Sequence, residues 1–392
     1  MPELREAVIV SAVRSPVGKG KKDGALASVH PAELSAWVMR AAVQQAGIDP
    51  ATIDDIFWGC AMPEAAQGLN VARLASLRAG IPVDVPSATI NRFCSSGLQA
   101  VAFAAQQIMT DMADVVIAGG VEMMSQVPMS GFHTRLAPEL TESYIGMGFT
   151  AERVAERWHV SRDDQDRWSL GSQQKAARAW ERGAFNGQIA PVPVAKTTWQ
   201  GARKESCTTE VKRDELPRPD TTLEGLAKLK PAFKVKGTVT AGNSSPYSDG
   251  AAALVLMSRE RARELGAKPL ARFITFAAAG VEPDVMGVGP LAAVPKAFKR
   301  AKMTMKDVNL IEFNEAFAAQ VVAVVRELKM PEDIVNVNGG AIALGHPLGA
   351  TGSKLTTQLV HELGARGGGV GLVTMCVGGG MGGAGLFEVF AA

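Results

Sequence analysis

Residues 87–120 read SATINRFCSSGLQAVAFAAQQIMTDMADVVIAGG. A short β-like run at 87–91 gives way to the small residues Cys94, Ser95, Ser96 and Gly97. A helical pattern then continues to Met109, and an apolar strand at 114–118 closes on Gly119 and Gly120. Parallel strands need a crossover, which a helix supplies, so strand, turn, helix and strand in this order predict a parallel α/β sheet. Upstream the alternation is already running: strand-like 7–11, helix-like 31–46, strand-like 55–59 and helix-like 69–79. The order returns near the other end, where Gly349-Ala350-Thr351-Gly352 opens a helical pattern to Leu363. A strand at 370–376 follows and closes on Gly378-Gly379-Gly380. Two units of the same order predict a duplicated half. Between them, over 122–246, the composition shifts toward Arg, Lys, Trp, Gln and Pro with fewer β-branched runs, which predicts an inserted, more irregular region.

A chain of 392 residues is long enough for two or three folded units. The 41 basic and 39 acidic residues nearly cancel, so no global field recruits nucleic acid or a membrane surface, and any anion site must be local. Cys60, Cys94, Cys207 and Cys376 are far apart, with no CxxC pair and no histidine at ligand spacing; neither a metal site nor a disulfide framework is expected. Free thiols suit a reducing compartment, and a strand beginning near residue 7 leaves little room for a cleaved presequence; the expectation is cytoplasmic. The uncharged run 367–387 is long enough to cross a bilayer, but its ten glycines favour strands and tight turns, and no membrane span is expected.

Four positions carry candidate chemistry. Cys94 stands where a strand ends and a helix begins, where unpaired N–H groups and the helix dipole favour thiolate; alone it reads equally as a buried structural cysteine. His346 stands on a turn stiffened by Gly345 and Pro347 before a helix, a setting for a proton acceptor, though a lone histidine is often a surface or core residue. Cys376 ends an apolar strand before Gly378, Gly379 and Gly380, whose N–H groups suit an oxyanion; its other reading is a small buried hydrophobe. Asn314, after the strand-like 310–313, puts a polar group at a strand end or caps a helix. Together these residues form a nucleophile, a base, a second acid/base and an oxyanion donor.

Asn91-Arg92-Phe93-Cys94-Ser95-Ser96-Gly97-Leu98-Gln99, Asn314-Glu315-Ala316-Phe317, Gly345-His346-Pro347 and Cys376-Val377-Gly378-Gly379-Gly380 resemble the thiolase signatures in their usual order. Lys230-Pro231-Ala232-Phe233, the stretch 237–245 and Asp249-Gly250-Ala251-Ala252 also look like thiolase segments, so the resemblance covers nearly the whole chain. It implies an α/β thiolase fold, two duplicated halves in a five-layered αβαβα core. The halves would be 1–121 plus 247–269 and 270–392, with an inserted loop domain at 122–246 covering coenzyme A. It further implies a homodimer or homotetramer.

By the same resemblance Cys94 attacks a 3-ketoacyl-CoA, His346 accepts its proton, and Cys376 serves as second acid/base. Asn314, through a water, and His346 would hold the enolate, while the N–H groups of Cys94 and Gly378 hold the tetrahedral oxyanion. Coenzyme A is then a co-substrate, with no permanently bound cofactor. Residue by residue, Arg218 falls near its adenine and phosphates and Ser245 on its pantetheine arm; Phe233, Met147 and Phe317 line the channel. Short-chain acetoacetyl-CoA thiolases commonly carry His-Met-Gly where this chain has Gly146-Met147-Gly148, and serine rather than glycine follows Cys94. Both features lean toward a broad-range 3-ketoacyl-CoA thiolase of fatty-acid β-oxidation, with a partner enzyme of that pathway conceivable. The alternatives are an acetoacetyl-CoA thiolase, a noncatalytic acyl-CoA or lipid carrier on the same scaffold, and a cysteine hydrolase. Cys376 argues against the related ketoacyl synthases, which typically use histidine or asparagine there.

Overall fold

The computed structural model describes residues 4–128, 135–200 and 203–392. The chain opens with strands β1 (Ala7–Arg14) and β2 (Gly18–Lys19), helix α1 (Pro31–Ala46), β3 (Asp55–Gly59), α2 (Val71–Ala79), β4 (Ala88–Ile90), α3 (Ser96–Met109) and β5 (Val115–Met123). There follow α4 (Met147–Arg157), α5 (Arg162–Glu181), the hairpin β6 (Val192–Gln200) and β7 (Arg203–Val211), and α6 (Leu223–Ala227). The rest comprises β8 (Ser248–Ser258), α7 (Arg259–Glu264), β9 (Ala271–Gly280), α8 (Gly289–Ala301), β10 (Leu310–Phe313), α9 (Ala318–Leu328), α10 (Ala341–Leu344), α11 (Leu348–Ala365), β11 (Gly369–Val377) and β12 (Met381–Val389). Helix α1 keeps the bounds read from sequence because both ends are punctuated. Pro31 presets its first turn, His30 accepts from Ala32 N, and Gly47 takes the left-handed conformation at φ 67° that stops it.

Ten of the strands form one sheet in the order β4-β3-β5-β8-β1-β9-β12-β11-β10, with β2 paired to β8, and β6 and β7 make a separate two-stranded sheet. In the first half β8 runs antiparallel to β1 and β5, and β3 is parallel to β5. In the second half β12 runs antiparallel to β9 and β11, and β10 is parallel to β11. The two halves therefore repeat one topology. They join where β1 meets β9, with Val8 opposite Arg272 and Ile9 opposite Ala271.

Alternation along the strands builds five layers. Val8, Val10, Ile56, Trp58, Val255 and Met257 face α1 and α2 on one side. Their neighbours Ala7, Ile9, Leu254 and Leu256 face the opposite way, into a central layer made by α3 and α11. Val373, Met375 and Val377 of the second half close on that same layer, while Ile311, Phe313, Leu372 and Leu386 face α8 and α9. Fully burying one such side chain contributes roughly 1.5–3 kcal/mol, so a register slip of one residue would be strongly disfavoured. The result is an αβαβα stack.

The segment between β5 and β8 occupies the place that the glycine turn between β11 and β12 takes in the second half. Strand β5 runs past residue 121 to Met123, so the inserted segment leaves the sheet slightly later than its composition suggests. It is not irregular throughout: although 212–247 is mostly turn and coil around the short α6, the segment holds α5, at 20 residues the longest helix among the described residues. The reason is that α5 buries Gln165, Asp166, Ser169, Ser172 and Gln173, so its inner face is polar and leaves no apolar periodicity to read. Its Ser161–Asp164 capping box is the one signal in the sequence that marks its start. The glycine-rich run 367–387 forms β11 and β12, and among the described residues no helix is long and apolar enough to cross a membrane.

Candidate active site

Residues 91–96 make a sharp elbow between β4 and α3. Asn91 Oδ1 accepts from Phe93 N at 2.8 Å, and Ser96 Oγ accepts from Arg92 N at 2.9 Å while donating to Phe93 O at 2.6 Å. Arg92 Nε bonds Gln99 Oε1 one turn into α3. These bonds hold Phe93 at φ 42°, a left-handed conformation that costs a non-glycine residue on the order of 1–3 kcal/mol. The bend delivers Cys94 to the start of α3, facing the turn between β11 and β12. There the N–H of Gly378 and its own N–H reach the sulfur.

Helix-terminus placement predicts a depressed thiol pKa for Cys94, and the structure corrects this. Cys94 is buried, and burial pushes its pKa up to about 12; the two N–H groups pull against this, and the nearby Glu122 adds to it. Desolvation outweighs the helix dipole because the sulfur has almost no water left to stabilise its charge. Cys376, at the end of β11 and fully buried, is raised well above the usual thiol range by burial, and further by Cys94 beside it. Its Sγ lies 3.6 Å from the Gln320 amide. Both sulfurs rest as neutral thiols.

His346 is held from three sides. Its backbone N–H donates to Ser248 Oγ at 2.9 Å, its Nδ1 lies 2.6 Å from Thr351 Oγ1, and its Nε2 lies 3.3 Å from Asn314 Nδ2. Thr351 already gives its hydroxyl proton to Pro347 O at 2.9 Å. The hydrogen on the imidazole is therefore assigned to Nδ1, leaving the Nε2 lone pair facing the Asn314 amide. Burial, reinforced by the Lys354 charge, pulls the imidazole pKa down to about 3 and keeps the ring neutral. Cys94 makes no hydrogen bond to His346 here. Asn314 Oδ1 is buried with no protein partner, which leaves it open to a water or a substrate group.

A half-buried apolar wall leads outward. Cys376 packs with Met286, Ala316, Met147 and Phe317. Phe233 meets Phe317 edge-on at 6.1 Å, and Phe149 meets Phe233 at 6.4 Å. Gly378 lies under the Phe93 ring and the Met147 sulfur. Ser245 is half-buried, its N–H donating to Ala316 O beside Asn314, so it borders the same wall. Arg218 lies apart: it is exposed on the inserted segment and fixed by its backbone N–H to Gln173 Oε1, and among the described residues its guanidinium joins none of the contacts at the sulfurs. The described residues contain no group of three or more His, Cys, Asp or Glu arranged to hold a metal ion.

Sequence reasoning passes over Thr351, Ser248, Gln320 and Glu122, which contact the site residues or tether them. Thr351 is quoted in its turn only as a small residue, and nothing in the spacing reveals that it faces the imidazole. Glu122 does leave a signal, an acid at the end of an otherwise apolar strand.

Residues 7–260 match the family described as the thiolase N-terminal domain, and residues 267–389 the thiolase C-terminal domain. The chain is 53% identical to the 3-ketoacyl-CoA thiolase of Bacillus subtilis, over 98% of this chain and 100% of that one. It is 44% identical to the acetyl-CoA acetyltransferase of Chromobacterium violaceum, over 96% and 98%. Among solved structures it superposes on a Bacillus anthracis acetyl-CoA acetyltransferase with a TM-score of 0.89 at 41% identity, covering 100% of both chains. It superposes equally, at a TM-score of 0.89 and 38% identity, on human mitochondrial 3-ketoacyl-CoA thiolase, covering 98% of this chain and 99% of that one.

Proposed function

The chain belongs to the thiolase family, and on that premise we propose that it is an acyltransferase cleaving 3-ketoacyl-CoA with coenzyme A into acetyl-CoA and a shortened acyl-CoA, a reversible Claisen reaction. One observation carries the reading: two buried thiols, Cys94 and Cys376, lie close enough that charge on one disfavours charge on the other, beside the Asn314–His346 pair.

The Cys94 sulfur attacks the 3-keto carbon as its proton passes to His346 Nε2. Because neither group is charged at rest, negative charge goes directly to the substrate oxygen, where the N–H groups of Cys94 and Gly378 receive it. Such a donor contributes roughly 3–4 kcal/mol. The bond between the α and β carbons breaks, leaving an acyl thioester on Cys94 and an acetyl-CoA enolate facing Asn314 and His346. Cys376 gives its proton to that enolate carbon. Cys376 then takes the proton of an incoming coenzyme A thiol, whose sulfur removes the acyl group from Cys94; His346 returns its proton to the departing Cys94 sulfur, and the ping-pong cycle closes with every group neutral again.

In this reading coenzyme A enters under the inserted segment between β5 and β8, the second half being 270–392. Phe233, Met147 and Phe317 line its channel, Ser245 meets the pantetheine arm, and Arg218 meets the adenine and phosphates at the rim. Gly146 in place of histidine, with Ser95 after the nucleophile, supports a broad-range enzyme of fatty-acid β-oxidation. We assign it to the cytoplasm as a homodimer or homotetramer, with a partner enzyme of that pathway as a further assignment.

The test is coenzyme A-dependent cleavage of acetoacetyl-CoA and a medium-chain 3-ketoacyl-CoA by the native chain, Cys94→Ala and Cys376→Ala. Turnover in the native protein and its loss in both variants is expected. Binding of thioesters without cleavage by the native protein would turn the reading to a carrier.

A further inference from the structure

Glu122 is a fully buried carboxylate at the end of β5 that the reaction scheme above does not use. Its Oε2 accepts from Gly349 N at 2.7 Å and Ala61 N at 2.9 Å, and its Oε1 accepts from Gln67 Nε2 at 2.6 Å and Met62 N at 3.3 Å. All four neighbours donate, so the cradle is built for the charged carboxylate even though burial pushes its pKa up. Gly349 lies in the first turn of α11, immediately behind His346 and Pro347. Ala61, on the other side, accepts through its carbonyl from Asn91 Nδ2 at 3.1 Å, and the Asn91 Oδ1 holds Phe93 N at the elbow before Cys94. One side chain thus ties the turn that carries the histidine to the elbow that carries the nucleophile.

We propose that Glu122 is a positioning residue of the reaction, a carboxylate that fixes the placement of Cys94 relative to His346. The proposal rests on the thiolase reading and deepens it. The two groups come from different halves of the fold and are not hydrogen-bonded to each other, so their alignment depends on the framework between them, and small misplacements of reacting groups slow a reaction steeply. Glu122→Gln keeps the size but turns an amide NH2 against N–H donors. Glu122→Asp keeps the charge but draws it back by one methylene, out of reach of Gly349 or Ala61.

The experiment measures kcat, KM and the single-turnover acylation of Cys94 by a 3-ketoacyl-CoA, with the amplitude of acyl-enzyme giving the fraction of competent sites. For both variants a kcat and acylation rate about ten- to hundredfold lower is expected, with KM within about twofold and full amplitude. A merely structural role would instead lower the amplitude and leave the rate of the remaining sites unchanged, overturning the proposal. So would native-like rates in Glu122→Asp, which would leave only the charge important, or in Glu122→Gln. Should neither variant fold, Asn91→Ser cuts the elbow end of the same tether, and a native acylation rate there overturns the proposal equally. If the native chain cleaves no ketoacyl-CoA, the thiolase reading fails first, and the two failures are distinguished.

Discussion

At the sulfur of Cys94 two effects of opposite sign meet, the helix-terminus N–H groups that favour a thiolate and the burial that opposes it, and burial wins. The same dryness holds His346 neutral, which a proton acceptor needs, and it leaves a measurable mark on stability. The folded imidazole titrates at about 3, whereas in the unfolded chain it titrates near about 6.5. Below the unfolded value the unfolded chain binds a proton that the folded chain refuses, so stability must fall as pH drops from the unfolded value toward the folded one. His346→Asn removes this contribution. The loss of denaturation midpoint between pH 7 and pH 5 should be smaller in the variant than in the native chain, though not zero, because burial also depresses His361. An equal loss in both proteins would show that the imidazole is not held neutral by the fold.

The central helices α3 and α11 each bring a candidate site residue, Cys94 and His346, to the site just before their N-termini, and they cross closely. A Cβ on Gly352 would meet the Leu98 backbone N at 2.1 Å, and one on Gly97 would meet the Ser353 N at 2.7 Å. The glycines written after Cys94 and after His346 are therefore there for contact between helices; small residues such as Gly97 suggest a close backbone approach, and the structure identifies the facing helix as the backbone that approaches. Gly352→Ala forces backbone against backbone, where no side chain can rotate away, and is expected to cost at least about 1–3 kcal/mol. It should also slow turnover, since the crossing aligns both reacting groups. A thermal melt and an assay on the same preparation check this; a native melting temperature would mean that the helices can part without cost. Helix α5 makes the complementary point, since its polar inner face binds Glu315 through Trp168 and Ser172 and hides it from any hydrophobic pattern.

The whole molecule is held together across its parts by buried charge as well as by apolar layers. Arg14 of β1 forms a two-pronged bond to Asp214 of the inserted segment at 2.7 and 3.0 Å, both side chains being fully buried, and Asp214 also accepts from Val17 N. Leu216, two residues on, packs against Gly345, so the insert braces the turn that bears His346. Asp214→Asn strands the Arg14 charge in the interior and should lower stability by about 3–5 kcal/mol, read as a shift of the denaturant midpoint; a shift within error would mean that water reaches the pair. At this scale the division between sequence and structure is plain. The alternation of strand and helix and the repeat of small-residue turn, helix and strand were determined by the chain itself, because apolar periodicity and turn chemistry are local; Cys94, His346, Cys376 and Asn314 were legible there only as candidates, each with a structural reading beside the chemical one until the motifs around them were taken together. The repeat of sheet topology, the polar helix α5, the neutral state of the thiols, the tautomer of His346 and the tether through Glu122 were decided only by the tertiary structure. Each depends on which groups remote in sequence are brought together and on how much water they lose in meeting.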